Sequence, residues 1–331
     1  MEFLRPATAA DASRIAEIIV TNYRTNFYPF FRNDAFYFGE LNVVDMASEY
    51  AEDTQQLRNT YVYDDGIVKG IIRISGDAIE KLYVEPQFQG QRIGAHLLNF
   101  AVRQKQAEWL WVLEYNTRAI AFYQRHGFQL TGEKIVEDEF VPLLKMVYVP
   151  SIRLRCIAQD SPEKAVLERI NEESFPVSER TAIEDLYATG GDSDLDMIGI
   201  DADGELVGFF AVRKFEKIRY LAYFAICKEK RSRGIGGRAL QQLQEFYPNC
   251  QIITEFEAPD ETSENAEIRL RRRAFYLRNG FCETGWYNFY DGTELVIACS
   301  DAASFEIRHV KQLIAHLNTI IAEPIPQPYQ K

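Results

Sequence analysis

The sequence predicts two α+β domains of similar topology in one chain. Its length of 331 residues suits two domains, and a hydrophobic content of 47% supplies each half with enough apolar side chains for a core. Each half contains one glycine-rich segment, placed between an apolar run typical of a strand and a run with helical periodicity. The two segments lie 142 positions apart and share a pattern, which indicates an internal duplication.

The duplication extends well beyond the glycine-rich segments. Apolar positions of the first helical run recur 142 residues later, and the pairs are Ile93 and Ile235, Leu97 and Ala239, Leu98 and Leu240, and Ala101 and Leu243. A turn and an aromatic pair recur at offsets of 138 and 153, namely Asp65-Gly66 with Asp203-Gly204, and Phe122-Tyr123 with Phe275-Tyr276. Offsets that change in small steps indicate loop insertions. We therefore expect one domain over residues 1–150 and a second over residues 151–331.

The first half predicts a regular succession of elements. A short strand at residues 3–5 precedes a capping box from Thr8 to Asp11, which opens an amphipathic helix. Residues 27–40 are crowded with aromatic side chains; a core stripe is the favoured interpretation and the wall of a substrate pocket is the alternative. A hairpin turning at 64–66, the strand from Ile79, the loop and its helix follow, and then a strand at 109–114, a helix at 117–126 and two final strands.

The second half repeats this order with a longer acidic connection. Helices are predicted after Pro162, over 179–187 and after the second loop, and the hairpin turns at 201–204. The helix over 265–279 carries five arginines, which either form a solvated face paired with the nearby acids or contact a ligand phosphate. A last helix is predicted over 302–321, followed by an extended tail with Pro324, Pro326 and Pro328.

Each glycine-rich segment predicts an anion site. A tight loop at a helix N-terminus presents unpaired backbone N–H groups, and the helix dipole favours negative charge there. Glycine lets the backbone approach a ligand that a Cβ would keep away. A pyrophosphate fits these properties; a plain strand–helix connection with solubilising basic residues is the alternative.

Composition narrows the function classes. The net charge of −12 argues against general nucleic-acid or anionic-membrane binding. Five cysteines without a Cys-x-x-Cys pair or a Cys/His cluster predict reduced thiols and no metal site. The first eleven residues lack an apolar signal core, and no run approaches the length of a membrane span, so we expect a cytoplasmic protein.

Each half resembles the GNAT superfamily of acyl-CoA-dependent N-acyltransferases. Its members carry Arg/Gln-x-x-Gly-x-Gly/Ala at the start of the helix after the fourth strand. Arg231, Gly234 and Gly236 match this pattern, and so do Gln89 and Gly94, whereas Arg92 stands where the family has glycine. Both halves also carry the family's Phe-Tyr pair ahead of Gly-Phe. The first half completes the family's Asn-x-x-Ala-x-x-Phe-Tyr signature with Asn116 and Ala119.

The resemblance implies a fold and a cofactor site in each half. The fold would be a mixed, mainly antiparallel sheet flanked by helices, with the strand before each loop splayed from the following strand and CoA in the cleft. Pantetheine would pair with the backbone of two strand segments: Leu82, Tyr83 and Val84, and Phe224, Ala225 and Ile226. The pyrophosphate and its surroundings would be held by Gln89, Gly90, Gln91, Arg92, Ile93, Gly94, Ala95 and Asn116, and by Arg231, Ser232, Arg233, Gly234, Ile235, Gly236 and Gly237.

The resemblance also implies catalytic roles. Tyr123 and Tyr276 would give a proton to the departing thiolate; the alternative is an amphipathic core role for each. Glu80 would act as the base in the first half, and Ala222 occupies its place in the second, where Glu255 or Glu257 could serve. For all three glutamates an ordinary exposed or paired carboxylate is the alternative, and it is the favoured interpretation for Glu257.

The function expected on these grounds is acetyl-CoA-dependent N-acetyl transfer to a primary amine. A small-molecule amine or a peptide amine would be the acceptor. A non-catalytic acyl-CoA-binding or regulatory protein built from the same two folds is the alternative. Nucleic-acid binding through the basic residues of the second half is a weaker third alternative, because the chain as a whole is acidic.

Overall fold

The computed structural model describes residues 3–137, 140–177, 179–188, 194–290, 292–317 and 327–328. The chain divides into two compact units, Met1–Val149 and Pro150–Lys331. The buried apolar clusters of each unit draw on that unit's residues alone. Each unit therefore has its own core.

The first unit contains one sheet and six α-helices among its described residues. Its strands are β1 (Leu4–Pro6), β2 (Thr60–Asp64), β3 (Val68–Ser75), β4 (Ala78–Val84), β5 (Trp109–Leu113), β6 (Phe128–Glu137) and β7 (Val141–Tyr148). Its helices are α1 (Ala12–Asn26), α2 (Tyr28–Phe31), α3 (Val43–Glu52), α4 (Thr54–Arg58), α5 (Ile93–Gln104) and α6 (Thr117–Arg125), with a π-helix over Ala35–Glu40.

The sheet of the first unit is covered on both faces. The strand order is β1-β2-β3-β4-β5-β7-β6, and every neighbouring pair is antiparallel except β4 and β5. Ile15, Ile18 and Ile19 of α1 pack on one face against Val62 and Ile71. Residues of α5, together with Tyr123 of α6, pack on the opposite face. The two faces of the sheet therefore carry different helices.

The second unit repeats the arrangement. Its strands are β8 (Ile152–Cys156), β9 (Leu195–Ala202), β10 (Glu205–Phe215), β11 (Ile218–Ile226), β12 (Gln251–Glu257), β13 (Cys282–Tyr290), β14 (Thr293–Cys299) and the two-residue β15 (Gln327–Pro328). Its helices are α7 (Lys164–Ser174), α8 (Ile183–Ala188), α9 (Ile235–Phe246), α10 (Ala266–Arg278) and α11 (Ile307–Leu317). Apart from edge strand β15, the order β8-β9-β10-β11-β12-β14-β13 matches that of the first sheet.

The predicted fold class is confirmed. Both sheets are mixed and mainly antiparallel, and the single parallel pair in each lies between the strand before the glycine loop and the strand after the helix. In both units a β-bulge in the first strand of that pair marks the start of the splay. Glu80 is the extra residue of β4, between the pairs Arg73–Lys81 and Ile74–Ile79; Ala222 is the extra residue of β11, between Ala211–Tyr223 and Val212–Leu221.

Two helix predictions in the second unit differ from the structure. Residues 179–182 are not helical, because their polar groups bond elsewhere: Asn171 Nδ2 donates to the Thr181 carbonyl at 2.9 Å, and Tyr223 Oη donates to the Glu179 carbonyl at 3.1 Å. The C-terminal helix begins at Ile307, five residues later than predicted, after a turn held by Asp301. Its predicted end, together with Pro324 and Pro326 of the predicted tail, lies outside the described residues.

Candidate active site

A gap opens between the parallel strands of each sheet. In the first unit β4 pairs with β5 only at Ala78 and Ile79, and the strands diverge from Glu80 onward. In the second unit β11 pairs with β12 from Ile218 to Leu221, and divergence begins at Ala222. The strand segments expected to contact pantetheine lie beyond the bulges, along the edge of each gap: Leu82, Tyr83 and Val84, and Phe224, Ala225 and Ile226.

Each glycine loop stands at the end of the strand that borders the gap. The first backbone hydrogen bond of α5 runs from His96 N–H to the Arg92 carbonyl at 3.0 Å, and that of α9 from Arg238 N–H to the Gly234 carbonyl at 3.2 Å. The helix ladders therefore leave the N–H groups of two short segments free to face a ligand: Ile93, Gly94 and Ala95, and Ile235, Gly236 and Gly237. These segments have the geometry of an anion site.

The first residue of each loop motif holds the loop against its strand. Gln89 Nε2 donates to the Val84 carbonyl at 3.1 Å, and Arg231 Nε donates to the Ile226 carbonyl at 2.8 Å. Arg231 Nη2 also reaches Ser174 Oγ at 2.8 Å. These contacts indicate that the side chains of Gln89 and Arg231 position the loop.

Two loop positions in each unit adopt left-handed backbone conformations. Gly90 and Ser232 have φ values of 82° and 67°, and the N-cap residues Arg92 and Gly234 have φ values of 62° and 69°. The loop of the first unit therefore keeps the shape of the second although arginine stands at the glycine position. The remaining members of the two predicted loops, Gln91 and Arg233, lie between these positions.

The aromatic pair of each unit packs beside its loop. A Cβ added at Gly94 would lie 3.4 Å from the Phe122 ring, and one at Gly236 would lie 3.5 Å from the Phe275 ring. The adjacent Tyr123 and Tyr276 are buried in the cores of their units. Burial raises the pKa of Tyr83 on β4, and the neighbouring tyrosines, Tyr123 among them, raise it further. Tyr123 also shares an apolar cluster with Leu82 and Val84 of β4, so it lies near the strand that borders the gap.

The environments of the two predicted proton donors differ. Burial raises the pKa of both hydroxyl groups. At Tyr276 a hydrogen bond with Thr254 and the charge of Arg272 counteract the effect of burial, whereas burial is the sole influence on the pKa of Tyr123. The Tyr276 hydroxyl is thus engaged by a residue of β12, and the Tyr123 hydroxyl stays protonated to a higher pH than a free tyrosine.

Glu80 lies on the face of the sheet that carries α1, α3 and α4. Its Oε2 atom is 2.6 Å from Arg73 Nε, and Arg73 Nη1 donates to the Tyr50 hydroxyl at 3.2 Å. The side chain of Glu80 is 40% exposed and borders a polar cavity of about 290 Å³ that Asp53, Gln56 and Ser75 also line. The predicted base is therefore half exposed at the start of the gap, on the opposite face from Tyr123.

The candidate carboxylates of the second unit are occupied by other side chains. Asn288 Nδ2 donates to Glu255. Glu257 lies 3.0 Å from Arg269 Nη2 and 3.2 Å from Arg272 Nη1, and it accepts from Asn265 Nδ2 at 3.0 Å. The favoured interpretation of Glu257 as a paired carboxylate agrees with these contacts, and they also engage two of the five arginines of α10.

Asn116 acts as a helix cap in the structure. Its Oδ1 atom accepts from the Ala119 N–H at 3.0 Å, so this atom closes the N-terminus of α6. In the second unit α10 starts one turn earlier relative to its tyrosine, and Asn265 takes the N-cap position. The Nδ2 group of Asn116 is the part of the side chain that could still meet a cofactor.

Sequence reasoning missed several residues of this site. Arg73 and Asn288 contact predicted bases, Thr254 contacts a predicted acid, and each depends on strand register that no local pattern reveals. Asn265 could have been found from its place before a helical run. Among the described residues, no group of three or more His, Cys, Asp or Glu side chains could hold a metal ion. In the same part of the chain no helix is long and apolar enough to cross a membrane.

Family comparisons match both halves. Residues 56–130 match the acetyltransferase (GNAT) domain and residues 164–281 match the acetyltransferase (GNAT) family, and together the matches cover more than half of the chain. The peptidyl-lysine N-acetyltransferases YjaB of Salmonella typhimurium and Escherichia coli are 33% and 32% identical to this chain over 81 and 82 residues. Each alignment covers 24% of this chain and 56% of the relative, so the chain spans little more than half the length of these curated relatives.

Solved structures are similar over about half of the chain. A putative GNAT-family acetyltransferase from Bacteroides thetaiotaomicron is 27% identical, with a TM-score of 0.42, and the match covers 51% of this chain and 97% of that one. The PaiA N-acetyltransferase of Thermoplasma acidophilum, solved in complex with coenzyme A, is 16% identical with a TM-score of 0.34, covering 44% and 98%.

Proposed function

Because this chain belongs to the GNAT acetyltransferase family, with one such domain in each half, we propose that it is an acetyl-CoA-dependent N-acetyltransferase. The observation that carries the proposal is the gap of the first unit. A glycine loop with unused N–H groups stands at its end, Glu80 lies at its start on one face, and Tyr123 lies beside it on the other. Acetyl-CoA is the proposed cofactor for both glycine loops.

The chemistry assigns a task to each group. An alkyl amine has a pKa near ~10.4, so a base must remove a proton before the nitrogen attacks the thioester carbonyl carbon. Glu80 would accept that proton, directly or through a water. A C–N bond then forms, a backbone N–H of β4 stabilises the oxyanion, and the C–S bond breaks. The nitrogen would lose its second proton to solvent as the C–S bond breaks, and Tyr123 would protonate the departing thiolate and regain a proton from solvent.

The second unit is proposed to hold CoA without turning it over at a comparable rate. Ala222 stands where Glu80 stands in the first unit. The Asn288 amide donates a hydrogen bond to Glu255, and Thr254 forms a hydrogen bond with Tyr276. Its loop, in contrast, matches the family pattern in full, with Gly234 at the N-cap. A base is needed for turnover but not for binding, so the second unit would be a binding or regulatory module. The non-catalytic, acyl-CoA-binding alternative would thus apply to the second half alone.

The acceptor is proposed to be a primary amine, either a small molecule or a peptide. Both curated relatives are named as acting on peptidyl-lysine, and this supports including lysine side chains among the acceptors to test. A cytoplasmic location, as expected from the sequence, is part of the proposal.

The experiment is direct detection of product. The full chain is incubated with acetyl-CoA and a panel of amines and lysine peptides, and acetylated product is measured by mass. Mass is preferred to a thiol reagent because Cys156 and Cys282 are exposed free thiols. Product above a Tyr123→Phe control supports the proposal. Saturable CoA binding without product from any amine would favour the non-catalytic alternative.

A further inference from the structure

Aromatic rings cross the gap of the first unit on the α1 face. The series begins on β4 with Tyr83, whose ring meets Tyr23 edge-on at 6.0 Å. Tyr23 stacks on Phe27 at 4.9 Å, and the chain continues directly into α2. Buried Asn22 donates to the Val84 carbonyl at 3.2 Å, which holds this end of α1 at the end of β4.

The far side of the series reaches Tyr115, in the connection that follows β5. Phe30 of α2 stacks on Tyr115 with ring centroids 5.4 Å apart, and Phe31 meets the Phe140 ring edge-on at 5.5 Å. Tyr115 lies two residues beyond Leu113, the end of β5. The rings of α1 and α2 therefore connect the two diverging strands across the open end of the gap.

The outer rings of this series remain accessible. Tyr37, at the centre of the neighbouring aromatic cluster, is 5% exposed, and the rings around it pack as a core stripe. Phe30 and Tyr115 in contrast are 49% and 47% exposed, although they stack on each other. Contiguous exposed apolar surface beside a cleft is typical of a binding site.

Among the described residues of the second unit, no two rings that are both exposed stack on each other. The segment that precedes the helix N-cap Asn265 is acidic and polar, from Asp260 to Glu264, where the first unit has Tyr115 before Asn116. Phe175 packs edge-on against Tyr223 at 5.2 Å, and Tyr223 is held by Thr181 at 2.9 Å. The exposed ring pair and Glu80 thus occur in the same unit, the one proposed to perform the transfer.

We propose that Phe30 and Tyr115 bind the apolar part of the acceptor, and that the preferred acceptors are primary amines with an aromatic or bulky apolar substituent near the nitrogen. The inference rests on the proposed transfer in the first unit. Such an amine would place its apolar group on the ring pair at the open end of the gap. Ring faces also attract an ammonium group before it loses its proton.

The test compares two amines on the CoA-loaded full chain by calorimetry. 2-Phenylethylamine should bind about tenfold more tightly than ethylamine, the size expected for one apolar group in a hydrophobic site. Phe30→Ala and Tyr115→Ala should each bring the ratio of the two amine affinities close to one and leave CoA affinity unchanged. Phe289→Ala removes a ring that is 58% exposed on the second unit, and it should not change the ratio.

Several outcomes would overturn the inference. The first is equal affinity of the wild type for the two amines, and the second is an unchanged affinity ratio in both ring variants. The third is concentration-dependent self-association that Tyr115→Ala abolishes. That result would assign the surface to a second copy of the chain. A retained binding preference with no product from either amine would support the acceptor surface and overturn the proposed transfer. If both amines bound with equal affinity and were acetylated with equal efficiency, the result would support the proposed transfer and overturn the acceptor surface.

Discussion

Arg92 and Gly234 have nearly the same backbone conformation, with φ and ψ of 62° and 6° for the arginine and 69° and 0° for the glycine. Both are the N-cap residues of the helices that follow the glycine loops. A left-handed conformation is costly for a residue with a Cβ, so the first unit tolerates backbone strain at this position. The arginine also places a cation beside the proposed pyrophosphate site, where it would favour the ligand.

The charge at this N-cap should decide CoA affinity in the second unit. A Cβ at Gly234 would meet nothing within 4 Å, so Gly234→Asp and Gly234→Arg share the same backbone strain and differ in charge. We expect the aspartate to weaken CoA binding by about tenfold or more through repulsion of the pyrophosphate, and the arginine to retain it. Calorimetry on the full chain measures both. Equal losses in the two variants would show that loop shape, and not charge, determines binding.

Removing the Tyr123 hydroxyl should slow turnover without disturbing the core. Tyr123→Phe keeps the ring that packs on Phe128 at 5.8 Å and removes only the proton donor. On an acceptor that is turned over, we expect kcat to fall by roughly 10²–10⁴, the usual size of an acid–base contribution. Because burial raises the pKa of Tyr123, its ionisation should not produce the alkaline limb of the kcat profile near pH 10, the ordinary tyrosine value. Tyr276→Phe is the matched control, and a larger effect from it would move the reaction to the second unit.

Glu80→Gln should separate catalysis from cofactor binding. The amide keeps the size of the side chain and part of its contact with Arg73, but it cannot accept a proton from the amine. We expect kcat/KM to fall by roughly 10²–10⁴ while CoA affinity is unchanged. Glu255→Gln serves as the control in the second unit and should leave both values near those of the wild type. Full activity of Glu80→Gln would show that a water chain or another group is the base.

The pair of Arg5 and Asp11 should stabilise the first unit in a pH-dependent way. Hydrogen bonds from Arg5 lower the pKa of Asp11 from its ordinary 3.8 to about 2, and Thr8 adds to the effect through the capping box. The ionised carboxylate therefore favours the folded state above pH 3.8, and this contribution is lost as the pH falls through about 2. Asp11→Asn should cost about 1–2 kcal/mol at pH 6, a value reduced by solvent screening at half-exposed Arg5.

Tryptophan fluorescence during urea unfolding would measure this loss. In a Trp286→Phe background the remaining tryptophans, Trp109 and Trp111, belong to the first unit. The difference between Asp11→Asn and its parent should narrow as the pH falls below 4. Glu163→Gln breaks the corresponding contact with Arg155 in the second unit and should leave this transition unchanged. A difference that does not vary with pH would contradict the assignment.

The sequence predicted the repeated elements because they leave local patterns. Glycine loops ahead of apolar-periodic helices and the Phe-Tyr pairs are visible within about twenty residues each, and the fold class follows from them. The bulges at Glu80 and Ala222 are not visible in this way, because a bulge is defined by the register of two strands. The same holds for the contacts Asn288–Glu255 and Arg73–Glu80. The aromatic segment over 27–40 divides into core rings and exposed rings, and only packing could separate the two.

The splayed strands also affect how the ligand-free protein behaves. Beyond each bulge the strand that borders the gap keeps one hydrogen-bonded neighbour and turns its other side to the opening. An unpaired strand side is a template for another extended chain, and such edges promote aggregation. Each unit therefore carries an edge in the middle of its sheet. Acetyl-CoA bound as proposed would cover these edges, so in cells depleted of acyl-CoA we expect the chain to be more prone to misassembly.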